Sequence, residues 1–174
     1  YFVNLSRVSI SDQNWIRRFH SLLSASGVQP SQLVFEITET AAMSEIDVTI
    51  TFIRRLKEMG CRFALDDFGA GFSSFYYLKR FDVDYLKIDG GFIRDLAADE
   101  GSRIFVRALN DIAHGLDKQV IAEWVETPEV LNLLLGMGTH FGQGYLFQRP
   151  IPLEEKDREA TQPAPERDTD ADAA

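Results

Sequence analysis

The chain has 174 residues, 45% of them hydrophobic, which is enough for one domain with a substantial core. Its formal net charge of −9 argues against a general nucleic-acid-binding protein, because phosphate backbones attract basic surfaces. A single cysteine, Cys61, and the lack of an apolar run of roughly 18 residues predict a cytoplasmic domain without membrane contact, whether or not its parent protein is membrane-tethered.

Short apolar runs that end in polar residues recur along the chain and predict six strands. The chain begins at Tyr1, without a methionine and inside the first of these runs, which indicates a piece of a longer protein. We predict Cys61 to be packed at the start of a strand. The predicted strands are 2–5, 32–38, 61–67, 84–89, 119–123 and 142–147.

Helical periodicity fills the intervals between these strands. Gly27 and Gly60 follow two of the apolar stripes and are predicted helix stops. Ser44 is a predicted cap with Asp47 at its capping-box position, and Thr127 is a predicted cap in front of a proline. The main predicted helices cover 12–26, 45–59, 102–114 and a segment that begins at 127.

Alternating strands and helices predict parallel βαβ units. In a (β/α) barrel the C-terminal strand ends surround one mouth, where the chemistry takes place, whereas an open doubly wound sheet also binds ligands at its strand ends. The first strand is followed by Ser6 and Arg7 instead of a glycine-rich phosphate turn, which favours the α/β barrel. Each predicted strand has a polar residue near its C-terminal end: Asn4, Glu36, Asp66, Lys87, Glu123 and Gln143.

Two adjacent carboxylates, Asp66 and Asp67, end an apolar run and precede a loop rich in glycine and serine. Burying them is costly unless a cation meets them. Oxygen ligands without a cysteine and histidine set favour Mg²⁺ or Mn²⁺ over zinc. Taken alone, Lys87 is equally well explained as a snorkelling lysine, and Asn4 as a turn residue.

Six segments in order are similar to the EAL family of bacterial cyclic-di-GMP phosphodiesterases. The resemblance covers residues 1–152 and implies a TIM-like barrel over 1–153 that is incomplete at its N-terminus, because the strand with the Glu-Ala-Leu motif is absent. A second departure is Trp124, where the family usually has glycine. The matching segments are 3–6, 35–40, 64–74, 85–89, 122–127 and 143–150.

Residues 154–174 contain eight acidic and three basic side chains, and no leucine, isoleucine, valine or aromatic residue follows Leu153. This composition predicts a disordered acidic tail, for which a role in solubility is favoured over a docking role.

The resemblance implies a site with two metal ions, Mg²⁺ or Mn²⁺. Asn4, Glu36 and Asp66 would hold one ion together with the missing glutamate. Asp66 would also bridge to the second ion, held with Asp67 and Glu123. Two such ions neutralise the anionic substrate and activate a water molecule, and Glu123 is either a ligand or the general base for that water.

The resemblance assigns roles to further residues around this site. Lys87 would be catalytic, steadying the attacking water or the charge that develops on phosphorus. Gln143 and Glu126 would bind substrate, although capping of the next helix is an equally good interpretation of Glu126. Glu39 would anchor the mobile loop after Asp67, with an exposed carboxylate as the alternative. The resemblance also implies that this loop forms a homodimer contact.

The function that follows is hydrolysis of cyclic di-GMP to linear pGpG in bacterial second-messenger signalling, with sensory or GGDEF-type domains upstream in the parent. The alternatives are an inactive cyclic-di-GMP-binding module, another metal-assisted barrel enzyme with a lysine base, and a truncated fragment without function. A missing strand leaves open sheet edges. We therefore expect residues 1–174 alone to be marginally stable, to self-associate and to hydrolyse cyclic di-GMP very slowly or not at all.

Overall fold

The computed structural model describes residues 1–70 and 75–152. The predicted acidic tail and most of the loop after Asp67 lie outside these residues. Within them, strands and helices alternate along the whole chain, as the apolar patterns predict.

The described strands form one parallel sheet in which they follow each other in chain order. A doubly wound sheet reverses its strand order at a switch point, and the described strands contain no such reversal. The order confirms the predicted barrel topology. The strands are β1 (Phe2–Asn4), β2 (Val34–Thr38), β3 (Arg62–Phe68), β4 (Tyr85–Ile88), β5 (Gln119–Ala122) and β6 (Phe141–Gly142).

Helices connect the strands on the outside of the sheet. Gly27 and Gly60 end α2 and α4 in left-handed conformations, with φ of 72° and 93°, as their predicted role as helix stops requires. None of the described helices is long and apolar enough to cross a membrane. The helices are α1 (Arg7–Ser11), α2 (Trp15–Ser26), α3 (Glu39–Ser44), α4 (Ile46–Glu58), α5 (Phe75–Leu78), α6 (Gly90–Arg94), α7 (Glu100–Gly115) and α8 (Pro128–Gly136).

The two predicted helix caps have opposite outcomes. Thr127 caps α8, because its side chain accepts a hydrogen bond from the Val130 backbone N–H. The prediction for Ser44 is wrong. Ser44 is the last residue of α3, and its hydroxyl donates to the Ala41 carbonyl at 2.8 Å, so Glu45 is the N-cap of α4.

The last strand is shorter than predicted. The sequence pattern indicates a strand over 142–147, whereas β6 ends at Gly142 and the chain then turns. The Leu146 N–H donates to the Val125 carbonyl at 3.0 Å. A Cβ on Gly144 would lie only 2.3 Å from the Val125 carbonyl oxygen, so glycine permits a close backbone approach that ends the strand.

The sheet is curled, and aromatic rings on its inner face show the curvature. Phe2 on β1 lies 6.1 Å from Tyr85 on β4, and Tyr85 lies 6.1 Å from Phe141 on β6, between ring centroids. In a flat sheet, strands three places apart are about 14 Å from each other. The three rings, with Val34 and Ile121, line an inner cavity of about 480 Å³. The described part of the chain is therefore an open, curled part of a TIM-like barrel.

The two faces of the sheet are packed differently. The outer face forms the main core with the helices, and residues such as Phe63, Leu86 and Ile88 are completely buried there. Cys61 is buried just before β3, as predicted, and burial raises the pKa of its thiol. The inner face has a smaller apolar cluster of Val34, Ala64, Tyr85 and Ile121.

The inner face repeats one arrangement on every strand. Because side chains alternate between faces, residues two apart lie on the same side of the sheet. The first residue of each inner pair is apolar and the second, toward the C-terminal end, is polar, so a polar layer lies above an apolar one. The pairs are Phe2 and Asn4, Val34 and Glu36, Ala64 and Asp66, Tyr85 and Lys87, Ile121 and Glu123, and Phe141 and Gln143.

The edge strands β1 and β6 are exposed at every residue. Exposed edges present unpaired backbone groups to other chains. We expect residues 1–174 to self-associate as concentration increases, as measured by sedimentation velocity. Val3→Lys places a charge on β1 and should weaken this association, because a charged edge resists strand pairing.

The matched control is Val8→Lys on α1, where the residue is 77% exposed and takes no part in strand pairing. This variant should associate like the unmodified chain. Equal association by all three proteins would show that the contact does not involve β1.

Candidate metal centre

Lys87 on β4 is the centre of a buried charge cluster. Its Nζ lies 2.6 Å from Glu36 Oε1, 2.9 Å from Asp66 Oδ1 and 2.8 Å from Glu123 Oε1. The lysine is only 3% exposed. The three carboxylates come from β2, from β3 and from the residue that follows β5, so one ammonium group connects four successive strands.

The environment keeps Lys87 protonated. Burial alone would lower its pKa, but the contacts with Glu123, Glu36 and Asp66 outweigh burial and raise the pKa above the usual lysine range. A lysine in this state cannot accept a proton near neutral pH. The geometry therefore argues against the alternative of an enolising enzyme with a lysine base.

A β-bulge places both adjacent aspartates at the site. In a regular strand, neighbouring side chains point to opposite faces. Between Leu65 and Phe68, β3 has one residue more than the opposing stretch of β4, and Asp67 has a φ of 52° in the left-handed region. Oxygens of Asp66, Asp67 and Glu123 consequently all lie within 4.8 Å of one another.

The cluster has more negative than positive charge. Four carboxylates, those of Glu36, Asp66, Asp67 and Glu123, face one ammonium group, which leaves a formal charge of −3 when all are ionised. Burial raises the pKa of Glu123, and the nearby aspartates add to this effect against the attraction of Lys87. Burial and the neighbouring Asp66 and Asp89 also raise the pKa of Asp67.

The residues present fit a hard divalent cation. Oxygen atoms of Asp66, Asp67 and Glu123 form the donor group, and carboxylate oxygens are the ligands that Mg²⁺, Mn²⁺ and Ca²⁺ prefer. Glu36 Oε1 is buried and lies 2.6 Å from Lys87 Nζ, so this carboxylate oxygen already contacts a cationic group at the strand ends.

Asn4 and Glu39 lie on opposite sides of β2. Asn4 is the register partner of Glu36, but it is exposed on the edge strand β1. Glu39 is only 6% exposed, in contrast to the alternative interpretation as a surface carboxylate. Its Oε2 accepts a hydrogen bond from the Gly69 backbone N–H at 3.3 Å, just after β3.

Gln143 and Glu126 lie beside the cluster. Both line a cavity of about 220 Å³ together with Glu123, Trp124 and Tyr145. Gln143 also lines the inner cavity of the barrel and thus lies between the two spaces. Glu126 is exposed, and the side-chain cap of α8 comes from the neighbouring threonine, as described above.

The sequence did not point to two arginine–aromatic pairs near this cavity. The Arg94 guanidinium lies 4.3 Å from the centre of the Trp124 ring, and that of Arg149 lies 4.9 Å from the Tyr145 ring. Arg94 belongs to α6, which has five residues and is too short to show helical periodicity. The pattern of apolar residues therefore contains no signal for its position.

Comparison with known proteins agrees with this geometry. Residues 1–150 match the family model described as the EAL domain. The chain belongs to the EAL domain family. The resemblance of six ordered segments to this family is thus confirmed.

Two curated relatives of the EAL chain come from Pseudomonas aeruginosa. The bifunctional diguanylate cyclase/cyclic di-GMP phosphodiesterase MucR is 36% identical over 153 residues, which are 88% of this chain and 22% of MucR. The cyclic di-GMP phosphodiesterase NbdA is 40% identical over 150 residues, which are 86% of this chain and 18% of NbdA. The chain spans about a fifth of the length of the curated relatives it matches.

A solved structure gives the same fold. The PaMucR phosphodiesterase in its c-di-GMP complex aligns with a TM-score of 0.84 and 35% sequence identity. The alignment covers 89% of this chain and 63% of that one. The fold of the described residues is therefore that of an EAL domain.

The raised pKa values of Asp67 and Glu123 determine how stability responds to pH. A carboxyl group whose pKa is higher in the folded chain binds its proton more tightly there than in the unfolded chain. The stabilisation that this proton binding gives the folded chain is complete at a pH below the pKa of the group in the unfolded chain. It is lost as the pH rises through the pKa of the group in the folded chain. Thermal unfolding in a chelator should thus show that Glu123→Gln raises the melting temperature by a few degrees at pH 7.

When the pH is lowered from 7 to about 5, the melting temperature of Glu123→Gln should rise less than that of the unmodified chain. The variant lacks the Glu123 carboxyl group, one of the groups whose proton binding causes this rise. Glu58→Gln in α4 is the matched control, since Glu58 is exposed and distant in sequence from the cluster. A lower melting temperature for Glu123→Gln at pH 7 would mean that the Lys87 ion pair outweighs the repulsion.

Proposed function

We propose that the protein that carries this chain is a cyclic-di-GMP phosphodiesterase, which hydrolyses cyclic di-GMP to linear pGpG. The observation that carries the proposal is the convergence of Glu36, Asp66 and Glu123 on Lys87 at the C-terminal strand ends of an EAL domain. The activity in the names of MucR and NbdA supports it.

The site would hold two Mg²⁺ or Mn²⁺ ions. Asp66, Asp67 and Glu123 are the proposed ligands of one ion, and their mutual distances support this set. Asn4, Glu36 and Asp66 are the proposed ligands of the other. When bound, such ions supply Lewis acidity and lower the pKa of a bound water molecule.

The protein residues have distinct proposed roles in the hydrolysis. A water oxygen forms the new bond to phosphorus, the P–O3′ bond breaks, and the 3′ oxygen leaves with a proton as the hydroxyl of pGpG. Glu123 is proposed either as a metal ligand or as the general base that takes the proton of the attacking water, and its position beside Asp66 and Asp67 supports both roles. Lys87 remains an ammonium group and stabilises the negative charge that develops on the phosphoryl oxygens.

Residues around the cluster would bind and enclose the substrate. Gln143 and Glu126 are proposed substrate contacts, which their shared cavity beside Glu123 supports. Glu39 is the proposed anchor of the loop after Asp67, which its hydrogen bond to the Gly69 backbone supports.

Assembly and location belong to the same proposal. We assign residues 1–153 to the phosphodiesterase domain and 154–174 to an acidic tail with a role in solubility. The domain would form a homodimer through the loop after Asp67, act in the cytoplasm and receive its signal from upstream sensory or GGDEF-type domains. The bifunctional name of MucR supports such an upstream domain.

A cyclic-di-GMP-binding module without turnover is the second candidate. The observation in its favour is the bulky Trp124 indole in the cavity wall beside Glu123, at a position where the EAL family usually has glycine. The two candidates share ligand binding and differ in whether pGpG is formed.

Replacement of Asp66 tests the catalytic role of this residue separately from its effect on folding. Asp66→Asn in the natural protein that carries this chain should reduce turnover more than about a hundredfold, because Asp66 is the only residue assigned to both ions. The assay follows pGpG formation with saturating Mg²⁺ and, separately, Mn²⁺. The fold should persist, since removal of one carboxylate reduces repulsion in the cluster.

The matched control is Asp95→Asn, an exposed aspartate beyond α6, which should retain full turnover. Thermal unfolding gives a second measurement, because Mn²⁺ should stabilise the unmodified protein and the control but not Asp66→Asn. Turnover near the unmodified rate for Asp66→Asn would refute the bridging role. Binding of cyclic di-GMP without any pGpG from the unmodified protein would identify the second candidate.

A further inference from the structure

Trp124 has an unusual backbone at the mouth of the site. It directly follows Glu123 and has a φ of 55°, a left-handed conformation that costs energy for a residue with a bulky side chain. The next residue, Val125, is fixed on both sides, since its N–H donates to the Gln143 carbonyl and its carbonyl accepts from Leu146. The backbone position from which the indole projects is therefore fixed, and the residue is 50% exposed.

Helix α6 supports one side of this indole. A Cβ on Gly90 would lie 1.9 Å from Cδ1 of Trp124, so the ring rests directly on the glycine backbone. The Arg94 guanidinium lies over the same ring at 4.3 Å. Residues four apart on a helix share one face. Gly90 and Arg94 lie one turn apart on the helix that packs against the indole, and half of the Trp124 residue remains exposed.

The indole forms part of the wall of the cavity beside the metal centre. This space of about 220 Å³ is also lined by Glu123, Glu126, Gln143 and Tyr145. A half-exposed flat aromatic surface lies here next to a proposed metal ligand. In a nucleotide, a planar base is one ribose away from the phosphate group, so a phosphodiester at the metals brings its base close to this wall.

We infer that Trp124 is a stacking surface for a guanine base of the substrate, and that Arg94 is a positioning residue that holds the indole in place. The inference rests on the proposed function and adds to it a determinant of base binding. Stacking of a base on an aromatic side chain contributes substantially to affinity and tolerates differences in base identity. The cation–π contact of Arg94 occupies one face of the ring.

A purely structural role for Trp124 gives a different expectation. Glycine adopts a φ of 55° without strain, so Trp124→Gly relieves the backbone while it removes the contacts with α6. We expect this variant to unfold at a temperature close to that of the unmodified chain. A structural tryptophan would instead cause a clear loss of stability without a selective effect on nucleotides.

The chain contains a matched pair of fluorescent reporters. Trp15 packs against Phe19 and Phe35, so Trp15→Phe preserves an aromatic packing and leaves Trp124 as the single tryptophan. In that variant, cyclic di-GMP and GMP should quench the emission, whereas ribose 5-phosphate, which has no base, should not. The reciprocal variant Trp124→Phe reports from Trp15 and should not respond to either nucleotide.

Kinetics in the natural protein test the consequence for the substrate. Trp124→Gly should raise KM for cyclic di-GMP about tenfold, in the range of a lost base stack, with a smaller effect on kcat. Trp124→Phe should recover most of the affinity. Arg94→Ala should raise KM less than Trp124→Gly, and Arg94→Lys should partly restore it because a cation remains over the ring.

The outcomes distinguish this inference from the proposed function. The stacking surface is refuted if the unmodified protein hydrolyses cyclic di-GMP and Trp124→Gly has the same KM. It is also refuted if ribose 5-phosphate quenches the emission of Trp124 as strongly as GMP does. In both cases the proposed phosphodiesterase activity is unaffected. If the unmodified protein neither binds nor hydrolyses cyclic di-GMP with Mg²⁺ or Mn²⁺, the proposed function fails and this inference fails with it.

Discussion

The contact of one buried ammonium group with three carboxylates determines much of this structure. Glu36 and Glu123 come from strands three places apart, which in a flat sheet would be about 14 Å from each other. Both lie within 3 Å of Lys87 Nζ, and the curl of the sheet toward its inner face brings them close to this one group. Without the ammonium group, carboxylates in a low-dielectric interior would repel one another strongly. Charge neutralisation and sheet curvature therefore act together at this site.

The polar layer could be predicted from the sequence because its signal is local. Alternation within each strand places Asp66 two residues after Ala64, and Lys87 two residues after Tyr85, on the inner face. The regular succession of strands and helices then brings these ends together. The contacts of Lys87 required the structure, since a lysine among apolar neighbours is compatible with a surface position as well as with a buried one.

The features that sequence reasoning missed depend on contacts between distant segments. The end of β6 follows from the approach of Gly144 to the Val125 backbone, and the register of β3 changes against β4 at Asp67. Trp124 is visible in the sequence as a departure from the family, but its support by Gly90 is not.

The bulge in β3 has a consequence for how such a site is gained or lost. Asp66 and Asp67 reach the same centre because β3 contains one residue more than β4 across this stretch. Deletion of a single codon before Asp66 would place the side chains of Asp66 and Asp67 on opposite faces of the strand. Both aspartates would still be present in the sequence. Grafting the centre onto another barrel scaffold likewise requires copying the spacing of the strand as well as its acidic residues. The site is thus encoded partly by residue count, which a comparison of amino-acid identities alone does not reveal.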